Sequence, residues 1–286
     1  MSNKFLLPTE NWLAETNEQL SREEMAPARR PMEAYRRWCI ESQQHIGFGG
    51  EVTRVIADWF SKNTQYGIAV KKPFRRSVYF YDVSFWDVPL PLVFGTVLID
   101  PLKQLQMMPA SLVERLAKDP EASNEYFEHF ASAYNFFVGI EQLEMLKREG
   151  EPPLYQELLA AADRHLLSAT ALLLDGNAKA IEDCRHVVEL SLKAVLNAFK
   201  GIKEAQFKRK RFNHGLPSTF EAAVECIAPL VMPISAADLD LFPSIEVRYQ
   251  ATNFSRQSLW RAFMLSQTLA TFCLEQVLNH IQSELS

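Results

Sequence analysis

Basic residues concentrated in the last third of the chain are the first group that could do chemistry. Seven basic residues and one acid, Glu204, lie between Lys193 and Arg211. The densest part is a run of four consecutive cations, Lys208, Arg209, Lys210 and Arg211. Such a cluster creates a local positive potential that attracts phosphate groups, although the whole chain has a net charge of −5 at pH 7. Two interpretations are equally open, an anion-binding patch and a solvated loop that only keeps the protein soluble.

A second basic group lies further along the chain, where no acidic residue interrupts residues 248–261. It contains three arginines with aromatic residues between them: Arg248, Tyr249, Phe254, Arg256, Trp260 and Arg261. Guanidinium groups combined with stacking rings are typical of sites for single-stranded RNA or nucleotides. The alternative is that the rings belong to a hydrophobic core, which is the more frequent role of aromatic residues beside a long helix.

Histidine and acidic residues do not form a recognisable metal motif. A carboxylate site in a four-helix bundle needs two Glu-x-x-His pairs on facing helices, and the nearest match here is the single pair Asp183-x-x-His186. We interpret this pair as part of a solvated helix face, and we interpret Glu125, Glu128 and His129 in the same way. The sequence therefore predicts no metal site and no cofactor.

The four cysteines predict neither a disulfide framework nor a nucleophile. Cys39, Cys184, Cys226 and Cys273 are far apart, form no Cys-x-x-Cys pair, and lie within apolar helical patterns where burial is usual. This usage is typical of a reducing cytosol. Neither a signal-peptide pattern nor an uncharged apolar run of about 18 residues is found. We therefore expect a cytoplasmic protein without a membrane segment.

The elements that must position these residues begin after a polar, proline-containing stretch. Residues 1–30 are predicted as an N-terminal arm, and the spacing of apolar residues predicts helices from Pro31 and around residues 52–60. Residues 77–86 and 90–99 are rich in β-branched and aromatic residues. They predict two or three short antiparallel strands, with Asp87 and Pro89 between them. Residues 31–150 are therefore expected to form an α+β region, whose role the sequence does not assign.

The rest of the chain has helical patterns. Glu151-Pro152-Pro153 is the strongest candidate for a domain boundary. Beyond it the patterns predict four helices, at about 154–174, 178–200, 218–227 and 255–283. The short link Asp175-Gly176-Asn177 makes the first two antiparallel neighbours. The predicted fold is mainly α, with a small antiparallel sheet in the N-terminal region and an antiparallel helical bundle over residues 151–286.

Three pieces of the C-terminal half carry a family resemblance. The helix over residues 180–196 resembles the second helix of the HEPN family, with its rhythm of acidic and then apolar residues. His214-Gly215-Leu216 resembles the His-Asp-Leu entry to the family's third helix, and Val247-Arg248-Tyr249 resembles the Arg-Tyr pair before its final long helix. Taken together in this order and spacing, residues 154–283 resemble a HEPN domain, a small helical fold found in nucleotide-binding proteins.

The resemblance implies where an active site would lie, and this chain differs from the family's motif at that place. Many HEPN proteins are metal-independent ribonucleases or partners of nucleotidyltransferases in toxin–antitoxin pairs, and their site is an Arg followed after four to six residues by His. Dimerisation brings two copies of that motif together. In this chain Arg248 is followed by Asn253, where the shortest form of the motif would place His. Asn can hydrogen-bond a phosphate or a 2′-hydroxyl, but it cannot shuttle a proton at neutral pH.

These observations lead to a non-catalytic binding or interaction protein as the leading hypothesis. Arg248 and Asn253 would form the polar centre of its groove, with the run from Lys208 to Arg211 and Arg256 as anion-binding residues. Two alternatives stay open. One is a metal-independent ribonuclease that uses Arg248 with a histidine outside the motif, His214 or His186, and the other is a scaffold or immunity-type partner that contacts only protein.

The resemblance also implies partners and a setting. The expected partners are a second copy of the chain, RNA or a nucleotide, and a nucleotidyltransferase-type protein, in a defence, toxin–antitoxin or stress context. The homodimer would use Phe254, Trp260 and Phe263 as an exposed aromatic surface near Arg248.

Overall fold

A computed structural model describes residues 7–25, 27, 30–42, 51–64, 74–91, 99–145, 152–207, 215–243 and 254–285. Within these residues the regular secondary structure is helical apart from one antiparallel pair of strands. This confirms the predicted mainly α fold with a small N-terminal sheet. The chain divides into two compact units. The first comprises Met1–Phe74 and Pro91–Ile99, and the second comprises Arg75–Leu90 and Asp100–Ser286.

The first unit has a core made by three helices, α1 (Glu10–Arg22), α2 (Arg30–Glu41) and α3 (Glu51–Asn63). The stretch predicted as an arm thus contains a helix. Thr9 caps this helix, since its hydroxyl accepts a hydrogen bond from the Trp12 backbone N–H at 3.2 Å. Apolar residues at helical spacing on each helix point into the same cluster: Leu13, Leu20, Ala34, Tyr35, Val52, Ile56 and Phe60.

The two strands, β1 (Phe74–Tyr81) and β2 (Ser84–Pro91), are joined by the two-residue turn Asp82-Val83. Both turn residues have positive φ angles, 51° and 57°, as the right-handed twist of a tight hairpin favours. The break predicted between the two runs at Asp87 and Pro89 is therefore wrong, because both residues lie inside β2. Within the described residues each strand pairs only with the other, and proline is tolerated in such edge strands.

The second unit is built from helices around this hairpin. Its α-helices are α4 (Ala110–Lys118), α5 (Pro120–Met145), α6 (Leu154–Leu174), α7 (Ala180–Lys200), α8 (Glu204–Phe207), α9 (Leu216–Ile227) and α10 (Arg256–Leu285). Two short 3₁₀ helices are also present: Pro101–Gln104 precedes α4, and Ala236–Leu241 lies between α9 and α10. None of the helices among the described residues combines the length and the apolar character that a membrane-spanning helix needs.

Helix α7 is the centre of the second unit, packing against α6, α9 and α10. Its contacts with α6 are antiparallel, as predicted. The Ser168 hydroxyl, towards the end of α6, donates a hydrogen bond to Asp183 near the start of α7. At the opposite end of the pair, the Tyr155 backbone N–H at the start of α6 donates to the Asn197 side chain near the end of α7. The link between the helices needs Gly176, whose φ of +69° is unfavourable for other residues.

Helix α5 belongs to the same unit as the helices that follow it, packing along α10 and also against α6. Gly139 of α5 makes this approach close, since a Cβ at this position would lie 2.7 Å from Leu274 Cδ2 of α10. The domain boundary predicted at 151–153 stays a prediction. In the structure, α5 before it and α6 after it lie within one compact unit.

Candidate functional site

Most of the predicted site residues lie outside the described residues. These are Lys208, Arg209, Lys210, Arg211, His214, Arg248 and Asn253, and their predicted roles stay predictions. The structure describes the residues at the borders of these two segments. Phe207 and Gly215 border residues 208–214, and Pro243 and Phe254 border residues 244–253. It also describes Arg256, Arg261 and Lys193 from the two basic groups.

Arg256 and Arg261 both have partners within the chain. Arg256, the first residue of α10, donates from Nη1 to the backbone oxygen of Val83 at 2.7 Å, and Arg261 donates from Nη2 to Asp238 Oδ1 at 3.0 Å. Arg256 therefore fastens the tip of the β hairpin to α10, and Arg261 fastens the second 3₁₀ helix. Both hydrogen bonds are exposed, and the anion-binding role predicted for Arg256 stays a prediction.

Trp260, an aromatic residue of the second basic group, belongs to the core together with Phe263. Trp260 and Phe263 are 3% and 0% exposed. The Trp260 ring packs T-shaped against the rings of Tyr79 and His129, at centroid distances of 5.4 and 4.9 Å. The core interpretation is confirmed for Trp260, and both Trp260 and Phe263 are buried rather than part of the exposed aromatic surface that the dimer hypothesis requires.

His129 lies in the same aromatic cluster, so its predicted position on a solvated helix face is wrong. It is buried between α5, β1 and α10, with its Nε2 atom 3.0 Å from the Ser77 hydroxyl oxygen. Burial lowers the pKa of His129 to about 4, because the charged imidazolium would lose its hydration. His129 is therefore a neutral part of the core at physiological pH.

One face of α7 carries a row of three charged side chains, four residues apart, of which the first two are buried and the third is largely buried. Lys193 Nζ donates to Glu189 Oε1 at 2.6 Å, and Arg185 Nη1 lies 3.6 Å from Glu189 Oε2. The side chains of Arg185, Glu189 and Lys193 are 5%, 6% and 12% exposed. Buried charges are costly without an opposite charge, and Glu189 lies between the two cations. The three side chains together carry a formal charge of +1.

The outer cation of this row contacts the residue that precedes the basic run Lys208–Arg211. Lys193 Nζ lies 5.6 Å from the centroid of the Phe207 ring, a cation–π distance, and Phe207 immediately precedes Lys208 in the chain. Sequence analysis counted Lys193 among the basic residues but missed the row. The available signal was the alternation of charge at i, i+4 within an otherwise apolar helix.

A second polar cluster joins α6 to α7 near their turn. His165 Nδ1 lies 2.6 Å from Asp183 Oδ1, and the Ser168 hydroxyl donates to Asp183 Oδ2 at 2.6 Å. The His186 ring lies beside the His165 ring, with centroids 4.7 Å apart. His165, Asp183 and His186 are all half-buried.

Sequence analysis considered Asp183 and His186 but missed His165. The signal was the predicted antiparallel pairing around Asp175-Gly176-Asn177. His165 lies ten residues before Asp175, and Asp183 and His186 lie six and nine residues after Asn177. Residues at similar distances from a tight helix–helix turn meet across it, so the pairing that the sequence predicts would have placed the three side chains together.

Comparison with known proteins finds nothing similar, since no protein-family model, no curated protein and no solved structure matches this chain.

Proposed function

We propose that this protein is a non-catalytic, HEPN-like binding protein whose C-terminal helices bind the phosphate groups of RNA or a nucleotide. The observation that carries the proposal is the buried row on α7. Two cations share one carboxylate there, and the outer cation, Lys193, packs against the residue that leads into the run Lys208–Arg211. Two cations flanking one carboxylate, next to a dense cationic run in the sequence, favour an anionic ligand.

The proposed setting follows from the HEPN resemblance. The protein acts in the cytoplasm in a defence, toxin–antitoxin or stress response, as a homodimer and together with a nucleotidyltransferase-type partner. Asn253 stands in place of the motif histidine after Arg248, which supports binding without cleavage.

Salt dependence of RNA binding tests the proposal. A fluorescent single-stranded RNA is titrated with the full chain at several salt concentrations. If four phosphates are neutralised by the run from Lys208 to Arg211, the slope of log K against log salt is about −3. Changing all four residues to Gln should weaken binding of every RNA sequence alike, because phosphate contacts carry no base information.

The matched control removes four positive charges elsewhere. Arg54, Lys62, Lys103 and Lys118 are exposed, and changing these four to Gln lowers the net charge by the same amount. This variant should retain the affinity and the salt slope of the wild type. Equal losses in both quadruple variants would mean that only net charge matters and would contradict a local site.

The α7 row is tested separately by Lys193→Met, which keeps the length of the side chain and its packing on Phe207 but removes the charge. We expect weaker RNA binding with an unchanged helical circular dichroism spectrum. Unchanged affinity would remove the row from the site.

The same samples decide between the alternatives. Cleavage of the RNA without metal, lost in Arg248→Ala, would establish the ribonuclease instead. Absence of RNA and nucleotide binding, with one stoichiometric protein captured by the chain, would establish the protein-only scaffold.

A further inference from the structure

We propose that His165, Asp183 and His186 bind one divalent transition-metal ion, with Zn²⁺ as the representative ion. The proposal is independent of the RNA-binding role and departs from the sequence interpretation of Asp183 and His186 as an ordinary solvated surface. It starts from the juxtaposition of two imidazole rings and one carboxylate across the turn between α6 and α7.

The distances suit a shared ion. One ring nitrogen of each histidine and one oxygen of Asp183 lie within 4.8 Å of one another. Ligand atoms about 2.0–2.2 Å from a common ion lie within about 4 Å of one another, so side-chain movements of about 1 Å bring the three donors into place. Helices α6 and α7 are joined by a short turn and packed along their length, so their backbones hold the ligands at a nearly constant separation.

A neighbouring hydroxyl positions the carboxylate. Ser168 donates to Asp183 Oδ2 at 2.6 Å, which leaves Oδ1 directed to His165. Carboxylate ligands of metal sites are commonly held by such an outer hydrogen bond, which fixes their orientation. In the absence of metal, the contact between His165 Nδ1 and Asp183 Oδ1 keeps these two groups together. Ser168 is thus a positioning residue rather than a ligand.

The donor set selects the class of ion. Two imidazole nitrogens and one carboxylate oxygen suit Zn²⁺ and its neighbours Co²⁺, Ni²⁺ and Cu²⁺, whereas Mg²⁺ and Ca²⁺ favour sites made of oxygen atoms. Three protein ligands leave a fourth tetrahedral position for water or another small ligand. The three side chains are half-buried, so part of the cluster faces solvent.

Zinc titration of the full metal-free chain tests the site. Isothermal titration calorimetry should give one equivalent of Zn²⁺ for the wild type and a loss of this binding in His165→Gln, Asp183→Asn and His186→Gln. The matched control is His280→Gln, which removes a half-buried histidine of α10 that lies outside the cluster. This control should bind one equivalent as the wild type does.

The positioning role of Ser168 has its own signature. Ser168→Ala should weaken Zn²⁺ binding about 10-fold, as loss of an outer-sphere partner typically does. Ser168→Thr restores the hydroxyl and should restore the affinity. A loss of binding that threonine does not rescue would remove Ser168 from the site.

A measurement on the wild type alone keeps the proposal testable if a variant fails to fold. Histidines are modified with diethyl pyrocarbonate with and without Zn²⁺ and located by mass spectrometry. Zinc should protect His165 and His186 and leave the labelling of His280 unchanged. Absence of zinc binding, or binding that protects only other histidines and persists in His165→Gln and His186→Gln, would overturn the proposal.

Discussion

At the residue scale, burial determines the acid–base behaviour of His129. Its ring lies among Tyr79, Trp260 and Phe263, and the Ser77 hydroxyl is the polar group beside its Nε2 atom. The folded protein therefore keeps the imidazole neutral down to a pKa of about 4, whereas an unfolded chain protonates it at about 6.5.

This difference predicts a pH-dependent stability. Between pH 6.5 and pH 4 the unfolded state binds more protons at His129 than the folded state, so the free energy of unfolding falls as the pH is lowered through this window. The loss attributable to His129 is on the order of 3 kcal/mol and is complete below about pH 4. Urea unfolding at a series of pH values measures it.

His129→Gln removes the titrating group and should flatten the stability profile between pH 6.5 and pH 4. The profile of His280→Gln, which removes a half-buried histidine at the far end of α10, serves as the comparison. An identical slope in the wild type and in His129→Gln would show that His129 does not titrate differently in the two states.

The four cysteines also differ from one another in burial. Cys184 and Cys273 are buried, and burial raises the pKa of both thiols, that of Cys184 to about 12. Cys39 and Cys226 are half-buried. The apolar helical patterns predicted burial for all four, and the structure confirms it fully for two of them.

At the scale of elements, the β hairpin depends on its turn. Val83 is 72% exposed and has a φ of +57°, a region that β-branched residues disfavour. Its neighbours hold the turn in place, since Arg115 forms an ion pair with Asp82 and Arg256 donates to the Val83 backbone oxygen. Packing and these two bonds thus support a turn whose second residue is locally unfavourable.

Val83→Gly should therefore stabilise the protein. Asp-Gly is a preferred pair for this turn, and little buried surface is lost, so we expect the free energy of unfolding to rise by about 1 kcal/mol. Val231 is 85% exposed and is not among the residues with positive φ, and Val231→Gly should instead destabilise the protein slightly by adding freedom to the unfolded chain. Chemical denaturation measures both variants. A loss of stability in Val83→Gly would show that the Val83 side chain contributes more than its backbone costs.

At the scale of the whole molecule, the two compact units have separate cores. Phe60 is buried in the helical core of the first unit, and Leu192 is buried in α7 of the second. Each core is made by residues of its own unit, so local stability can differ between the units.

Core substitutions should therefore act on one unit at a time. Phe60→Ala, expected to cost about 3–5 kcal/mol, should increase amide hydrogen exchange in α1, α2 and α3, while α7 and α10 stay protected. Leu192→Ala, expected to cost about 2–5 kcal/mol, should do the reverse. Hydrogen exchange followed by mass spectrometry reads both patterns. Equal loss of protection in all these helices would mean that the two units unfold as one.

The sequence by itself determined the elements whose signals lie within a few neighbouring residues. Helices α6 and α7 and their antiparallel pairing follow from apolar spacing and from the turn residues Asp175-Gly176-Asn177, and α10 follows from its long amphipathic pattern. These features depend on local backbone preferences and on one apolar face, which a single stretch of sequence carries.

Tertiary structure decided the properties that depend on residues distant in sequence. His129 becomes a buried neutral group because β1 and α10 cover it. The hairpin turns at Asp82-Val83, where Arg115 and Arg256, distant in sequence, bond to the turn. His165 joins Asp183 and His186 because two helices pack together. Burial and proximity arise from the folded arrangement of several elements, so no single stretch of sequence specifies them.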